Sequence, residues 1–390
     1  MTQRNFVQHL ALVATAATLV SATANAAIDV KLTGFIKAGA VGSDRTVQSY
    51  GQANYVAPTS ARPDGGTENT DGGLTFQTAQ SRFGIAATID ETTKGIFEFD
   101  FVDFTEASPT LAQNPRVRIA KIEHRLNEKM LVQVGQDWDI FSPLNTFTYN
   151  YVGNTFQAGN SAFMRQQAVL VHTTEGFEQK VALGLFNSNN AAAIGDVERS
   201  AVPTLAYQAS WGTSPSRIGL SAIVSQFIVR PGGERENAMM YGANFFTEQK
   251  WGSFDFRAEA YYGQNMANSG MLTLATRATA ATAVGIVNDD LQEAGGWISG
   301  RLPLGEMTNL FGSVGYAAVL NNDDMPNVAI PAPGTALNGI TANLAGKLGV
   351  DHKLTDKLSV FGEVSHFNTE FKGLDNGQAT MADVGLFLFL

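Results

Sequence analysis

A chain of 390 residues with no Cys, 39 Gly, 25 Phe and a formal net charge of −10 is long enough for two or three soluble domains. Yet only 16% of its residues are charged, against roughly 25% in ordinary globular domains, and its 44% hydrophobic residues include no long apolar helix beyond the N-terminus. This balance argues against a soluble multidomain protein and suits a transmembrane barrel, where one face of each strand meets lipid and needs no charge.

In chain order, Met1–Ala26 reads as a secretory signal peptide: Arg4, the apolar core Leu10–Val20 and the small-residue site Ala24-Asn25-Ala26. The core is too short to span a bilayer as a helix. Residues 27–390 are then one domain. Beyond residue 26 no stretch of about 20 apolar residues offers a spanning helix, so a membrane protein here must be a closed barrel.

The mature chain alternates with period two. Val30, Leu32, Gly34 and Ile36 share one face of a first strand, with Lys31, Thr33 and Lys37 on the other. Residues 43–73 are a polar Gly/Pro/Thr-rich connection. Leu74–Ile89 reads as one strand, Asp90–Gly95 as a tight turn, and Ile96–Phe104 as a third strand with Phe97, Phe99 and Phe101 opposite Glu98 and Asp100. Later strands repeat this: Arg257, Glu259 and Tyr261 oppose Phe256, Ala258 and Ala260, and Ser359, Glu363 and Ser365 oppose Leu358, Val360 and Val364. The last strand is Met381–Leu390. Long and short connections alternate throughout, giving about sixteen strands with about eight long and seven short links. The fold class is therefore all-β, a transmembrane antiparallel β-barrel with tight turns on one side and longer loops on the other. Trp138, Trp211, Trp251 and Trp297 fall near predicted strand ends, as an interfacial girdle requires.

One connection stands apart. Asp137–Arg165 is long, rich in aromatics, Asn and Gly, and uncharged between Asp139 and Arg165. Ordinary strand connections are a handful of residues. A segment this long and apolar is expected to fold back inside the barrel and narrow it.

Gln80-Ser81-Arg82-Phe83-Gly84-Ile85, with Ile96–Phe101 after the turn, resembles the second and third strands of trimeric bacterial porins. Gly135-Gln136-Asp137-Trp138, Phe141, Pro143-Leu144-Asn145-Thr146, Gly159 and Arg165-Gln166 are most similar to the DcaP-like branch of the porins. The resemblance implies a homotrimer of sixteen-stranded barrels in the bacterial outer membrane. Each would contact lipid and lipopolysaccharide and pass small hydrophilic solutes, with a preference for anions such as dicarboxylates. Two departures stand out. Such barrels usually end in Phe, whereas this chain ends Phe389-Leu390, and no helical extension separates the signal peptide from the first strand.

Barrels of 16–18 strands leave an aqueous channel, so selectivity depends on what lines the narrowest point. The basic candidates are Arg82, Arg116, Arg118 and Arg165; Arg116 and Arg118 share a strand face. Guanidiniums hold carboxylates bidentately, and local field rather than net charge governs a pore. Asp137 and Asp139, at the root of the long segment, would oppose them across the lumen. The competing expectation is structural ion pairing with Glu98, Asp100 or Glu123 in the wall. No cofactor, metal site or catalytic set is expected: His124, His172, His352 and His366 are isolated, and no nucleotide-binding or hydrolase motif occurs. The external loops lack a basic run, which argues against nucleic acid. A barrel closed to solutes and an outer-membrane enzyme are the alternatives. The second needs a Ser/His/acid set near one rim that no strand supplies.

Overall fold

The computed structural model describes residues 28–45, 47, 55–58, 71–102, 114–150, 155–185, 202–229, 234, 236–274, 277, 289–327 and 339–390. The signal-peptide expectation lies outside them. Among the described residues the chain forms strands and two short 3-10 turns, Met266–Ser269 and Asn322–Asp324, with no α-helix. The strands are β1 (Asp29–Ser43), β2 (Gly73–Gln77), β3 (Arg82–Thr88), β4 (Thr93–Asp100), β5 (Arg116–Asn127), β6 (Met130–Trp138), β7 (Met164–Thr174), β8 (Phe177–Gly184), β9 (Thr204–Thr213), β10 (Ser216–Val229), β11 (Glu236–Trp251), β12 (Phe254–Gln264), β13 (Gln292–Pro303), β14 (Thr308–Val319), β15 (Ile340–Lys353), β16 (Leu358–Phe371) and β17 (Gly377–Phe389).

Every pairing is antiparallel, and β17 returns to β1 from Phe35↔Phe389 to Ser43↔Met381, so the sheet closes on itself. No open edge is left, as lipid requires. Both β2 and β3 pair with β1, through Gly39↔Gln77 and Phe35↔Arg82, and are two halves of one stave. Counted together they give a barrel of sixteen staves. The sequence predicts one unbroken strand over Leu74–Ile89; the structure breaks it at Thr78–Ser81. The physical reason is local. Gln77-Thr78-Ala79-Gln80-Ser81 has no apolar alternation, and its side chains compete for backbone partners. Ser81 Oγ accepts the Lys37 amide at 3.1 Å, and Gln80 Oε1 accepts Lys37 Nζ at 2.8 Å.

The connections alternate as expected. On one side seven links of two to four residues join β3–β4, β5–β6 and so on to β15–β16. Gly176 and Gly252 occupy two of them at φ +69° and +61°, the left-handed backbone that tight hairpins need. On the other side lie the longer connections, from 44–72 to 372–376.

Alternate side chains point outward into an apolar band. Leu32 is 74% exposed, Phe76 77% and Leu348 60%. Charged neighbours such as Lys37, Lys347 and Glu363 point inward and are buried. A belt of this kind running around a closed barrel is a lipid-facing surface.

The tryptophans divide between the two faces of the sheet. Trp211 and Trp251 are exposed beside the short turns, against Phe177 at 5.5 Å and Phe256 at 5.3 Å. Trp297 is buried inside, against Leu144 and Phe246, and Trp138 packs near Ala79, Val102, Phe156 and Ala162. The girdle expected of four tryptophans therefore holds two.

Candidate functional site

The interior is occupied by the described residues, 139–150 and 155–163, of the segment Asp139–Phe163 that links β6 to β7. Its apolar side chains explain why it lies there. Ile140 and Phe141 pack with Val169, Val171, Ala182, Ala206, Ile223 and Met240 of the inner wall, forming an apolar core within the barrel. One side of the lumen, along β7–β12, is thus filled.

Polar wall residues hold the segment from Ile140 to Asn150. Gln208 Nε2 donates to the Ile140 carbonyl at 2.9 Å, and Asn244 Nδ2 and Ser221 Oγ donate to the Phe141 carbonyl. Glu259 accepts from Ser142 Oγ and, at 2.8 Å, from the Leu144 amide. Further on, the Phe147 amide donates to Ser299 Oγ at 3.0 Å, while its carbonyl accepts Lys347 Nζ. Glu363 accepts the Tyr149 amide and Thr148 Oγ1. Asn150 joins Gln80 to Asp383, at 2.7 Å on each side. The segment spans the barrel from β9 to β17, and each bond answers a backbone or buried polar group that would otherwise lack water. Gly159 seats it closely: at φ +98°, a Cβ there would lie 2.0 Å from the Gly296 carbonyl oxygen. Across the same contact, a Cβ on Gly315 would lie 2.0 Å from the Ala158 carbonyl oxygen.

Apart from Asp139, which opens the segment itself, the sequence-predicted charges sit on β3–β7, facing this segment. Arg116 forms a bidentate pair with Asp100, with the shorter bond 2.7 Å, and Arg118 bonds Glu98 at 2.7 Å and Asp100 at 3.2 Å. The four make one electrically balanced cluster, with Arg118 and Asp100 buried and Arg116 and Glu98 partly open. Ion pairing in the wall was one of the two expectations for these arginines, and it describes this cluster. Asp137 takes Lys121 Nζ at 2.6 Å. Asp139 and Arg165 do not face each other across water; they bond directly, and both side chains are 1% exposed. Arg165 also donates to the carbonyls of Leu185 and Ser269. Arg82 lies over the ring of Phe35, 5.2 Å from its centroid, on the inner face.

Three further guanidiniums line the opposite wall: Arg217 on β10, Arg257 on β12 and Arg301 on β13. Their side chains are 19%, 33% and 35% exposed. Glu248 pairs with Arg217 at 2.7 Å and lies 3.8 Å from Arg257, and Asp351 is 4.0 Å from Arg301. Arg257 also donates to the Asn145 carbonyl at 3.1 Å and covers the Phe147 ring at 4.4 Å. The period-two pattern had placed Arg257 in the inward row of its strand; Arg217 and Arg301 carry the same alternation signal but no motif to single them out. No group of three or more His, Cys, Asp or Glu able to hold a metal occurs among the described residues.

No family model matches the sequence, and no match is found among curated proteins. Solved structures do share the fold. The chain is similar to the outer membrane channel DcaP of Acinetobacter baumannii, with TM-score 0.67 at 12% identity, over 94% of this chain and 99% of that one. It is also similar to an anion-selective porin from Comamonas acidovorans, with TM-score 0.58 at 13% identity, over 93% of this chain and 100% of that one. OmpT of Vibrio cholerae, an outer membrane protein solved in its trimer form, matches with TM-score 0.57 at 12% identity, over 94% of this chain and 100% of that one.

Proposed function

We propose that this chain, whose fold is that of the bacterial outer-membrane porins, is a passive channel for small hydrophilic solutes with a preference for anions. The observation that carries the reading is the infolded segment Asp139–Phe163, bonded across the lumen from β9 to β17. A barrel built only to be closed or to display loops does not need a charge-poor segment suspended at lumen depth by so many wall donors and acceptors. On this reading the solute path runs beside it, between β1–β6 and β12–β15, and Arg82, Arg116, Arg257 and Arg301 are the guanidiniums assigned to it. Guanidiniums at such a constriction attract carboxylates by local field, although the whole chain is acidic. Dicarboxylates are the solute class with two groups for two such walls. Arg118, Asp100, Asp139 and Arg165 shape the path from behind, and Asp137 and Glu98 border it.

On this reading the chain is an exported channel without enzymatic activity. It carries signal peptide 1–26 and barrel domain 27–390, sits in outer-membrane lipid beside lipopolysaccharide and assembles as a homotrimer. The trimer form of one structural relative supports the last point. The test is single-channel recording in planar bilayers with a reversal potential under a salt gradient, together with liposome swelling by small sugars and dicarboxylates. Discrete conductance steps with anion preference are expected. Liposomes that stay impermeable to every small solute would remove the channel.

A further inference from the structure

We propose that the segment from Asn265 to Leu274 is a second constriction element, stacked on the loop side of the first, and that Arg165 is the residue that positions it. The inference rests on the channel reading above. Sequence pattern reads this stretch as part of an ordinary long connection between β12 and β13. In the structure it turns into the barrel. Met266, Asn268, Ser269 and Met271 are almost fully buried, in a run that carries no charge from Asn265 to Thr276.

Its partners follow one another across the lumen. Met266 fills the space left by two glycines: a Cβ on Gly263 would lie 1.9 Å from Met266 Sδ, and one on Gly242 2.8 Å. Arg165 Nη2 donates to the Ser269 carbonyl at 3.1 Å and touches Met271 Sδ at 3.4 Å, while its Nε holds Asp139. Leu272 pairs with the first constriction segment through backbone bonds, Gln157 N to Leu272 O at 3.2 Å and Leu272 N to Ser161 O at 3.4 Å. Leu274 donates its amide to Glu293 at 2.7 Å and packs beside Tyr55, Ile340 and Phe371. Arg277 and Asn268 bond each other through backbone and side chain, and Arg277 pairs with Asp290 at 2.8 Å and Glu236 at 2.6 Å. Apart from Gly242, six residues into β11, the partners on strands lie within one residue of the strand end where the long connections begin. The segment therefore roofs the lumen above Asp139–Phe163, from the β7 and β12 side towards β15–β16. Being uncharged, it sets the size of what enters and not its sign. Solutes are left to enter along β1–β6.

Arg165→Met keeps the bulk of the side chain and removes the clamp. It is expected to raise single-channel conductance and admit larger sugars in liposome swelling, with the reversal potential unchanged; Arg165→Lys should restore part of the wild-type size limit. Asn268→Ala, which unfastens Arg277 without touching Asp139, should act in the same direction. A shifted reversal potential at constant size limit would instead make Arg165 a charge-selecting residue, and wild-type behaviour of both variants would remove the roof. Placement is checked apart from conduction. Because the chain has no Cys, the pair Gln157→Cys with Leu272→Cys should oxidise to one disulfide in the folded barrel, read as a mass shift and a mobility change on gels. Failure of that disulfide to form would overturn the arrangement. A wild-type barrel that conducts nothing while the disulfide forms would sink the channel reading and leave the roof's geometry standing.

Discussion

Glu259 on β12 holds Leu144 of the infolded segment by its amide, at 2.8 Å, and takes the Ser142 hydroxyl with its other oxygen. The carboxylate is buried, so its two oxygens serve the segment and not water. Removing it leaves two donors without a partner in a dry setting, and a buried group left unsatisfied costs about 1–3 kcal/mol. Glu259→Ala is expected to loosen the first half of the segment and give noisier, larger conductance steps. Glu259→Gln, which keeps one carbonyl acceptor, should fall between. Single-channel traces measure both; quiet, wild-type steps in the alanine variant would mean that the anchor is dispensable.

Gly159→Ala tests the seating of the second half. The backbone there is left-handed, and the new methyl would meet the Gly296 backbone, which cannot swing aside as a side chain can. Strain at such a position costs about 1–3 kcal/mol before the collision is counted. The barrel itself should persist, with its folded form still resisting denaturation in sample buffer without boiling, while proteolysis of the lumen segment becomes faster. Equal protease resistance in the two proteins would show that the close approach does not matter.

Charge selection should follow exposure and pairing. Arg116 shares Asp100 with Arg118, so Arg116→Ser leaves a cluster still half compensated. Arg301 has Asp351 only at 4.0 Å and is 35% exposed, so its field reaches the path. Arg257→Ser and Arg301→Ser together are expected to move the reversal potential towards cations more than Arg116→Ser does. Reversal potentials under one salt gradient decide it; the opposite ranking would place the selective field on β5.

What the sequence disclosed divides along physical lines. Strand alternation, link alternation and the infolding of Asp139–Phe163 were legible because lipid and lumen act on every residue: apolar out, polar in, and no long uncharged loop left in water. Closure by β17 on β1 was legible for the same reason. Pairings set by the third dimension were not. Lys37 meets Asp383 at 2.7 Å across 346 residues of chain, and Arg165 turns inward to clamp Ser269, neither of which any spacing announces. The run Asn265–Thr276 shows the same lack of charge that exposed the first segment. It was hidden because it sits inside a connection read as ordinary.

Asp90 offers a pH prediction outside the membrane. Its Oδ1 accepts Thr92 N at 2.8 Å, Thr92 Oγ1 at 2.7 Å and Thr93 N at 2.7 Å, and the Thr92 bonds above all hold its pKa below the ordinary 3.8. A depressed carboxyl gives stabilisation that is present above the unfolded value and is lost as pH falls through the folded one. The β3–β4 turn should therefore stay ordered down through pH 4 and open only below it. The Asp90 carboxyl resonance, followed by NMR in detergent, should titrate below 3.8, and Asp90→Asn should abolish the step.

Leu348 and Lys347 are adjacent on β15 and point to opposite faces, the leucine 60% exposed outward and the lysine buried inward at Phe147. If the outward band is lipid-facing, a charge is tolerated at 347 and not at 348. Leu348→Arg near the midplane is expected to cost about 2–4 kcal/mol, as for a cation placed on the lipid face of a barrel. Urea unfolding in lipid vesicles measures the loss. Lys347→Leu makes the reverse change and keeps the outer band intact. It removes the donor to the Phe147 carbonyl and the positive partner beside Glu363, so its effect should appear in conductance more than in insertion. A Leu348→Arg barrel as stable in vesicles as the wild type would mean that this face does not meet hydrocarbon, and the orientation of every strand would have to be reversed.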